Sequence, residues 1–343
     1  MKKSLLIGLI LILALSLVVV GCGQKQEAPK EAPKEEPKAS EAPKDWKPDK
    51  PVEFVVPYSA GGGSDIYARV TADIIQKKGW SDQPFMVVNK PGGSGAVGNN
   101  HTYAKKGDKY TIMTFVTGQI ASTIASKGEV TPDKLTMIAN MALDEYIIGV
   151  RADKYKTLDD LVNAAKAKPD TITVGGSGTA NEDHMSFGLM NKYMGIKLKY
   201  VSFNGSGDVM TAVLGGHLDA GIFNPNECLG QIAAGEIIPL ATWSTKRLSG
   251  DLKDVKTFIE LGYPEVVFQQ FRGIAGPPDM PAEVLKYYQE TIKKVVESEE
   301  FKNDYWQKNM LTPHYLAGEE HQKFINAETE KYKGLLTDLG LMQ

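Results

Sequence analysis

The stretch VVPYSAGGGSD, residues 55–65, leaves a run of β-branched residues and enters three consecutive glycines, Gly61, Gly62 and Gly63, before Ser64 and Asp65. Its first residues belong to VEFVVPY, which reads as a buried strand, and DIYARVTADIIQKKG, 65–79, carries apolar residues at helical spacing. The glycines therefore sit at a strand-to-helix turn. The first amides of a helix lack intrahelical partners, the helix dipole favours negative charge there, and glycine admits a ligand to the bare backbone.

The device recurs. TITVGGSGTANEDHMSF, 171–187, runs from a strand through Gly175-Gly176-Ser177-Gly178-Thr179 into a helix, and LKYVSFNGSGDVMTAVL, 198–214, does so through Asn204-Gly205-Ser206-Gly207-Asp208. Ser59, Ser64, Ser177, Thr179 and Ser206 add hydroxyl donors. No Lys or Arg lies within the three glycine stretches, so they read as anion cradles without a fixed cation, suited to carboxylates that are held and then released. The plainer alternative makes them tight turns with Ser64, Asp65, Thr179 and Asp208 as helix N-caps. Both roles are compatible in one loop. Asp65 would repel an anion unless water, Ser64 or a ligand ammonium intervened, which leaves room for amino acids among the ligands.

Around these turns the pattern alternates. PFMVVNK, YTIMTF, TMIANM and YIIGVRAD read as further strands, and TLDDLVNAAKAKP, HMSFGLMNKYMG and DVMTAVLGGH as helices separated by TITVGG, LKYVSF and DAGIFN. The tail, from PPDMPAEVLKYYQETIKKVVESEEF to EEHQKFINAETEKYKGLLTDLGL, is mostly amphipathic helix expected to pack back on the first lobe. The expected architecture is two α/β lobes, 51–147 with 251–343 and 148–250, joined by two chain crossings with a ligand cleft between them.

The N-terminus sets the compartment. A basic MKK precedes SLLIGLILILALSLVVV and then GCG, 21–23. This reads as an export signal over 1–21; a retained anchor helix is the alternative, and Cys22 argues against it by its likeness to a lipidated lipobox cysteine. Residues 22–50 repeat an A-P-K-E unit with almost nothing apolar, the composition of an extended tether. The formal charge of −3 gives no basic field for nucleic acid. Cys228 is the only other cysteine, and with neither CxxC nor HExxH, metal sites and cofactors lack support.

Other motifs are weaker. NKPGGSGAVG contains GxGxxG at Gly93, Gly95 and Gly98, but Met113-Thr114-Phe115-Val116 lacks the acidic residue a dinucleotide site needs. GGSGA and GGSGT fail the final position of GxSxG. His184 could serve Ser177 as a base in a surface hydrolase, the alternative from a different class of function. His101, His217, His314 and His321 read as surface or loop residues.

From Pro51 to the C-terminus, PVEFVVPYSAGGGSDIYAR, VVNKPGGSGAVG, VGGSGTANEDHMSFGLM, YVSFNGSGDVMTAVLGGHLDAGIF and GIAGPPDMPAEVLKYYQETIKKVVESEEF resemble, in unbroken order, the substrate-binding proteins of tripartite tricarboxylate transporters, the Bug or TctC family. The resemblance implies a type II periplasmic-binding-protein fold, two lobes closing on a small carboxylated molecule, and delivery to a separate permease; with the readings above, the expected protein is a lipid-anchored monomer at the outer face of the cytoplasmic membrane that binds a mono-, di- or tricarboxylate or an amino acid without catalysis. A sensor presenting its closed form to a signalling receptor would use the same chemistry. Carried onto this chain, the ligand residues are Tyr58, Ser59, Ala60, Gly61, Gly62, Ser64 and Asp65 from the first lobe. The second lobe supplies Ser177, Gly178, Thr179 and His184, then Asn204, Gly205, Ser206 and Asp208, with Asn224 on the far wall. Tyr58 stands where the family often has Phe, and Asn204 where it often has a cation.

Overall fold

The structure, a computed structural model, describes residues 46–342. The expected export signal, Cys22 and the tether as far as residue 45 lie outside the described residues. Among the described residues no helix is long and apolar enough to cross a membrane.

The first half-lobe is built from β1 (Val52–Val56), α1 (Gly63–Lys77), β2 (Phe85–Asn89), α2 (Ala96–Tyr103), β3 (Thr111–Val116), α3 (Thr117–Ser126) and β4 (Thr136–Asp144). The second lobe follows as β5 (Ile147–Arg151), α4 (Leu158–Ala167), β6 (Thr173–Gly176), α5 (Glu182–Met194), β7 (Lys199–Ser202), α6 (Ser206–Leu214), β8 (Ala220–Phe223), α7 (Pro225–Ala233) and β9 (Ile237–Thr242). The chain then returns through β10 (Gln270–Gly276), α8 (Ala282–Glu297), β11 (Thr312–Ala317) and α9 (Gly318–Asp338). Two mixed sheets result, a six-stranded one in the order β11-β4-β10-β3-β1-β2 and a five-stranded one in the order β7-β6-β8-β5-β9.

The central strands are apolar on both faces because helices cover both. β3 is buried along its whole length, and β1 pairs parallel with β2 and β3, Phe54 lying opposite Val87 and Ile112. β10 runs antiparallel between β3 and β4, with Arg272 opposite Val116 and Ala142. This strand closes the first lobe and carries a charge through the middle of its sheet. The link from β4 to β5 is only Glu145-Tyr146, whereas the return spans 243–269.

Helix α8 shows how the outer layer is held. Val284, Tyr288, Thr291, Ile292 and Val295 are buried at helical spacing, and all but Thr291 join Phe85, Ile112 and Ile138 in one apolar cluster. Burying each large side chain stabilises by about 1.5–3 kcal/mol, so Ile292→Ala is expected to cost about 2–5 kcal/mol. Trp46 packs edge-on to Tyr287, ring centroids 5.3 Å apart, and Tyr110 donates to Asp49 at 2.7 Å. The segment from Trp46 is therefore part of the folded body rather than of the expected tether.

The C-terminal helix does more than cover the first lobe. α9 buries His321, Ile325, Tyr332 and Leu336 on one face, against α3 and β4. At its end Leu339 lies against Gly188 of α5 and Lys192 donates to the Asp338 carbonyl at 3.3 Å, so it also touches the second lobe. His321 is fully buried, not a surface residue, because it falls on that inward stripe; burial pushes its pKa down to about 4.

Candidate functional site

The three glycine turns face one another across the cleft. The Ser59 amide donates to the Asn204 carbonyl at 3.4 Å and the Ser59 hydroxyl to Asp208 at 3.1 Å, which brings the first and third loops together. The Thr179 amide donates to Ser94 Oγ at 2.7 Å, so the second loop meets the glycine-rich turn before α2. Two glycines are required by closeness alone: a Cβ on Gly205 would lie 2.8 Å from the Ser59 Cβ, and one on Gly63 would run into the Arg272 guanidinium.

Between them lies a narrow cavity lined by Tyr58, Gly62, Gly63, Ser64, Ser177, Glu182, Asp183, Gly205, Ser206, Asn224, Glu227, Gln270 and Arg272. Of the residues expected from the sequence, Tyr58, Gly62, Ser64, Ser177, Gly205, Ser206 and Asn224 line it. Ser59, Ala60, Gly61, Asp65, Gly178, Thr179, His184, Asn204 and Asp208 do not. The space is about 20 Å³, room for roughly one water molecule. A ligand of several carbon atoms requires displacement of the lobes or of their side chains.

The cradles are real but not open. Glu227 stands at the third position of α7 and accepts from the Asn224 amide at 2.8 Å; its other oxygen accepts from the Gly63 amide and the Ser206 hydroxyl, both at 2.5 Å. One carboxylate thus neutralises the start of α1, the start of α7 and the hydroxyl that opens α6. Asp183 plays the corresponding part in the second loop, accepting from the Ser177 amide at 2.6 Å and its hydroxyl at 2.8 Å. The expectation of donors free for an incoming anion is corrected here, since the chain's own acids occupy them. The caps also differ: α1 is capped by Gly62, α5 by Asn181 and α6 by Gly205, not by Ser64, Asp65, Thr179 or Asp208.

Asp65 is part of the scaffold. It accepts from Arg69 at 2.8 and 2.9 Å, from the Gly61 amide at 3.0 Å and from Asn89 at 2.9 Å. Burial works against its charge, but these donors outweigh it and hold the carboxyl below the usual carboxylate range. His184 is turned to its own loop, its Nδ1 3.1 Å from the Ala180 amide and its ring stacked on Tyr200 with centroids 4.1 Å apart. Burial lowers its pKa to about 4. The Ser177 hydroxyl donates to Asp183 rather than to an imidazole.

A cation does reach the site, from β10. Arg272 is 2% exposed and forms an ion pair with Asp144, and its Nη2 also donates to Asn224 Oδ1 at 2.7 Å. Burial opposes its charge, but Asp144 holds its pKa above the ordinary value. Burial raises Asp144 to about 6, with Arg272 opposing the rise. Neighbouring Glu145 is raised by burial to about 7. Burial also raises Glu182 and Asp183; Asp183 adds to the rise at Glu182, and Glu227 to that at Asp183. Arg272, Gln270, Glu182, Asp183 and Glu227 were not among the residues expected from the sequence. An arginine inside the apolar run QFRGIAG was the available signal for the first.

The comparisons agree with this geometry. The sequence matches the family described as tripartite tricarboxylate transporter family receptor over residues 67–341. It is 27% identical over 304 residues to a UPF0065 protein from the gbd 5' region of Cupriavidus necator, covering 88% of this chain and 91% of that one. Among solved structures, the Rpa4515 protein of R. palustris with adipate is similar at a TM-score of 0.79 and 22% identity, over 85% of this chain and 98% of that one. MatC of Rhodopseudomonas palustris with bound malate is similar at a TM-score of 0.74 and 19% identity, over 84% of this chain and 99% of that one. Its strand order, its converging glycine turns and a family match over most of its length together place the chain in the tripartite tricarboxylate transporter receptor family, the TctC or Bug proteins, with their two-lobe α/β periplasmic-binding-protein fold.

Proposed function

We propose that this protein is an extracytoplasmic solute-binding lipoprotein that captures a small carboxylated molecule between its two lobes and delivers it to the permease of a tripartite tricarboxylate transporter. The observation that carries this reading is the meeting of glycine turns from both lobes around one cavity, with the Arg272 guanidinium at its wall. Adipate and malate, named with two structures of the same fold, support a carboxylate. The lobes in this reading are 51–147 with 251–343 and 148–250, and lipid on Cys22 holds them at the membrane.

Binding requires the lobes to part, and the short Glu145-Tyr146 link with the longer return strand is the natural hinge. Closure follows from whatever extra contacts the ligand makes in the closed form. The protein does this without turnover: Ser177 is engaged with Asp183 and His184 with its own loop, which leaves no activated nucleophile in this pair.

A thermal-shift screen of mono-, di- and tricarboxylates tests the reading. A true ligand at a hundredfold excess over Kd stabilises by about 2.7 kcal/mol; folded protein with no response to a broad panel contradicts it. For the anchor, the full chain expressed in a bacterium is expected to sediment with membranes, and Cys22→Ala to be released from them. Unchanged membrane association of Cys22→Ala would remove the lipid from the account.

A further inference from the structure

Glu227 uses its two oxygens differently. It is the third residue of α7, and its Oε2 accepts from the Asn224 amide at 2.8 Å, the ordinary bond of an acid that caps its own helix. Its Oε1 turns away from that helix. It accepts from the Ser206 hydroxyl at the start of α6 and, in the other lobe, from the Gly63 amide at the start of α1, both at 2.5 Å. Capping needs only the first oxygen and does not explain the second. Asp183 makes the contrast, since the amide and the hydroxyl that it accepts both belong to Ser177 in its own lobe. The neighbouring ties between the lobes are longer or uncharged: Ser59 reaches the Asn204 carbonyl at 3.4 Å and Asp208 at 3.1 Å, and the Thr179 amide reaches the neutral Ser94 hydroxyl at 2.7 Å. The bond from Gly63 to Glu227 is short and carries a charge, and such bonds are about twice as strong as neutral ones.

The Gly63 amide is also the donor to which a ligand carboxylate is drawn. It opens a helix of 15 residues and lines the cavity with Arg272, whose guanidinium a Cβ on Gly63 would strike. A Cβ on Gly62 would lie 3.0 Å from Ser206 Oγ and 3.8 Å from Glu227 Oε1, so both groups close directly on bare backbone. One N–H cannot serve two carboxylates, and the space of about 20 Å³ beside it holds roughly one water molecule. A ligand therefore gains this amide only by moving Glu227 Oε1 away, and the bond through Oε2 leaves α7 capped when that happens.

Resting on the carboxylate-binding reading above, we propose that Glu227 is an internal stand-in for the ligand's carboxylate. It clasps the two lobes through Gly63 until a ligand displaces it from Gly63 and Ser206, and it thereby sets how tightly the protein holds that ligand.

The test compares the ligand-free protein with two variants by small-angle X-ray scattering. Glu227→Gln keeps the cap and loses the charge, whereas Glu227→Asp keeps the charge and is one methylene too short to span to Gly63. Both variants are expected to show a larger radius of gyration than the wild type, and to return to its value when saturated with a carboxylate. Calorimetry with propionate, succinate, glutarate and citrate is expected to show the best of them bound about tenfold tighter by Glu227→Gln than by the wild type, as when a neutral competitor replaces a charged one at the same donors. Glu227→Asp is expected to bind it more tightly as well. A wild-type radius in both variants overturns the clasp, and so does unchanged or weaker binding. Tighter binding by Glu227→Gln alone, with Glu227→Asp behaving as the wild type, reduces Glu227 to a repelling charge and also overturns it. If no form of the protein binds any of the four acids, the carboxylate reading fails, and the scattering still decides the clasp.

Discussion

Two acidic residues, Asp65 and Glu182, stand in the first turn of a helix that follows a glycine turn, Asp65 third in α1 and Glu182 first in α5, one in each lobe. Their surroundings differ completely. Asp65 is saturated by Arg69, Asn89 and the Gly61 amide, and its pKa falls despite burial. Glu182 lines the cavity but keeps an unpartnered oxygen packed against Gly118, and burial drives its pKa up. A helix N-terminus favours negative charge in both cases, but the dipole effect is modest, about 0.3–1 kcal/mol when exposed. Direct donors decide the outcome. The first acid belongs to the scaffold, and the second is left with one oxygen that no donor holds.

The largest effect on this contrast is expected from Arg272→Met. It leaves Asp144 buried without its counter-ion, and breaking a buried pair from one side costs about 3–5 kcal/mol. Chemical denaturation should show this loss, with most of it recovered in Arg272→Met combined with Asp144→Leu. Next comes Asp65→Ala, which removes the acceptor of the Gly61 amide, the partner of Arg69 and one of the two acceptors of the Asn89 amide group. A loss of about 1–3 kcal/mol is expected, with ligand affinity unchanged in the folded fraction. An affinity drop larger than tenfold would return Asp65 to the binding site.

Glu182 predicts the opposite sign. Glu182→Gln removes a charge that burial disfavours, so the unliganded protein is expected to gain about 1 kcal/mol at pH 8. The smallest effect is pH itself. Asp144, Glu145, Glu182 and Asp183 have raised pKa values, so near neutrality the folded state retains protons that the unfolded chain has released. Their contribution is present at low pH and is lost as pH rises through the folded values. His184 and His321, lowered to about 4, act the other way below about 6.5, where the unfolded chain binds protons that they do not. Above about 6.5 the acids act alone, and Tm is expected to fall by about 2–4 °C between pH 6.5 and 8. A flat or rising Tm over that range contradicts the burial assigned to them.

Much of the scaffold was legible because it depends on local pattern. The turns at 59–65, 175–179 and 204–208 each join a β-branched run to a helical one, and all three lie where strand periodicity gives way to helical periodicity. The missing half of the site arrives from residues remote in sequence. Gln270 and Arg272 are delivered by β10, a strand whose polar residues broke the apolar run that would have announced it. Glu227 had a readable signal: Asn224-Pro225 followed by Glu227 is an N-cap, a proline at the first helical position and an acid at the third. What no local pattern contains is that this acid reaches Gly63 across the cleft. The cradles therefore read as open from the sequence and are filled in the fold.

A crystal structure of the protein with whichever carboxylate binds tightest tests the central claim most directly. The account predicts one ligand between the lobes, its carboxylate beside Arg272 and the Gly62–Ser64 turn. A ligand bound elsewhere on the molecule would contradict it.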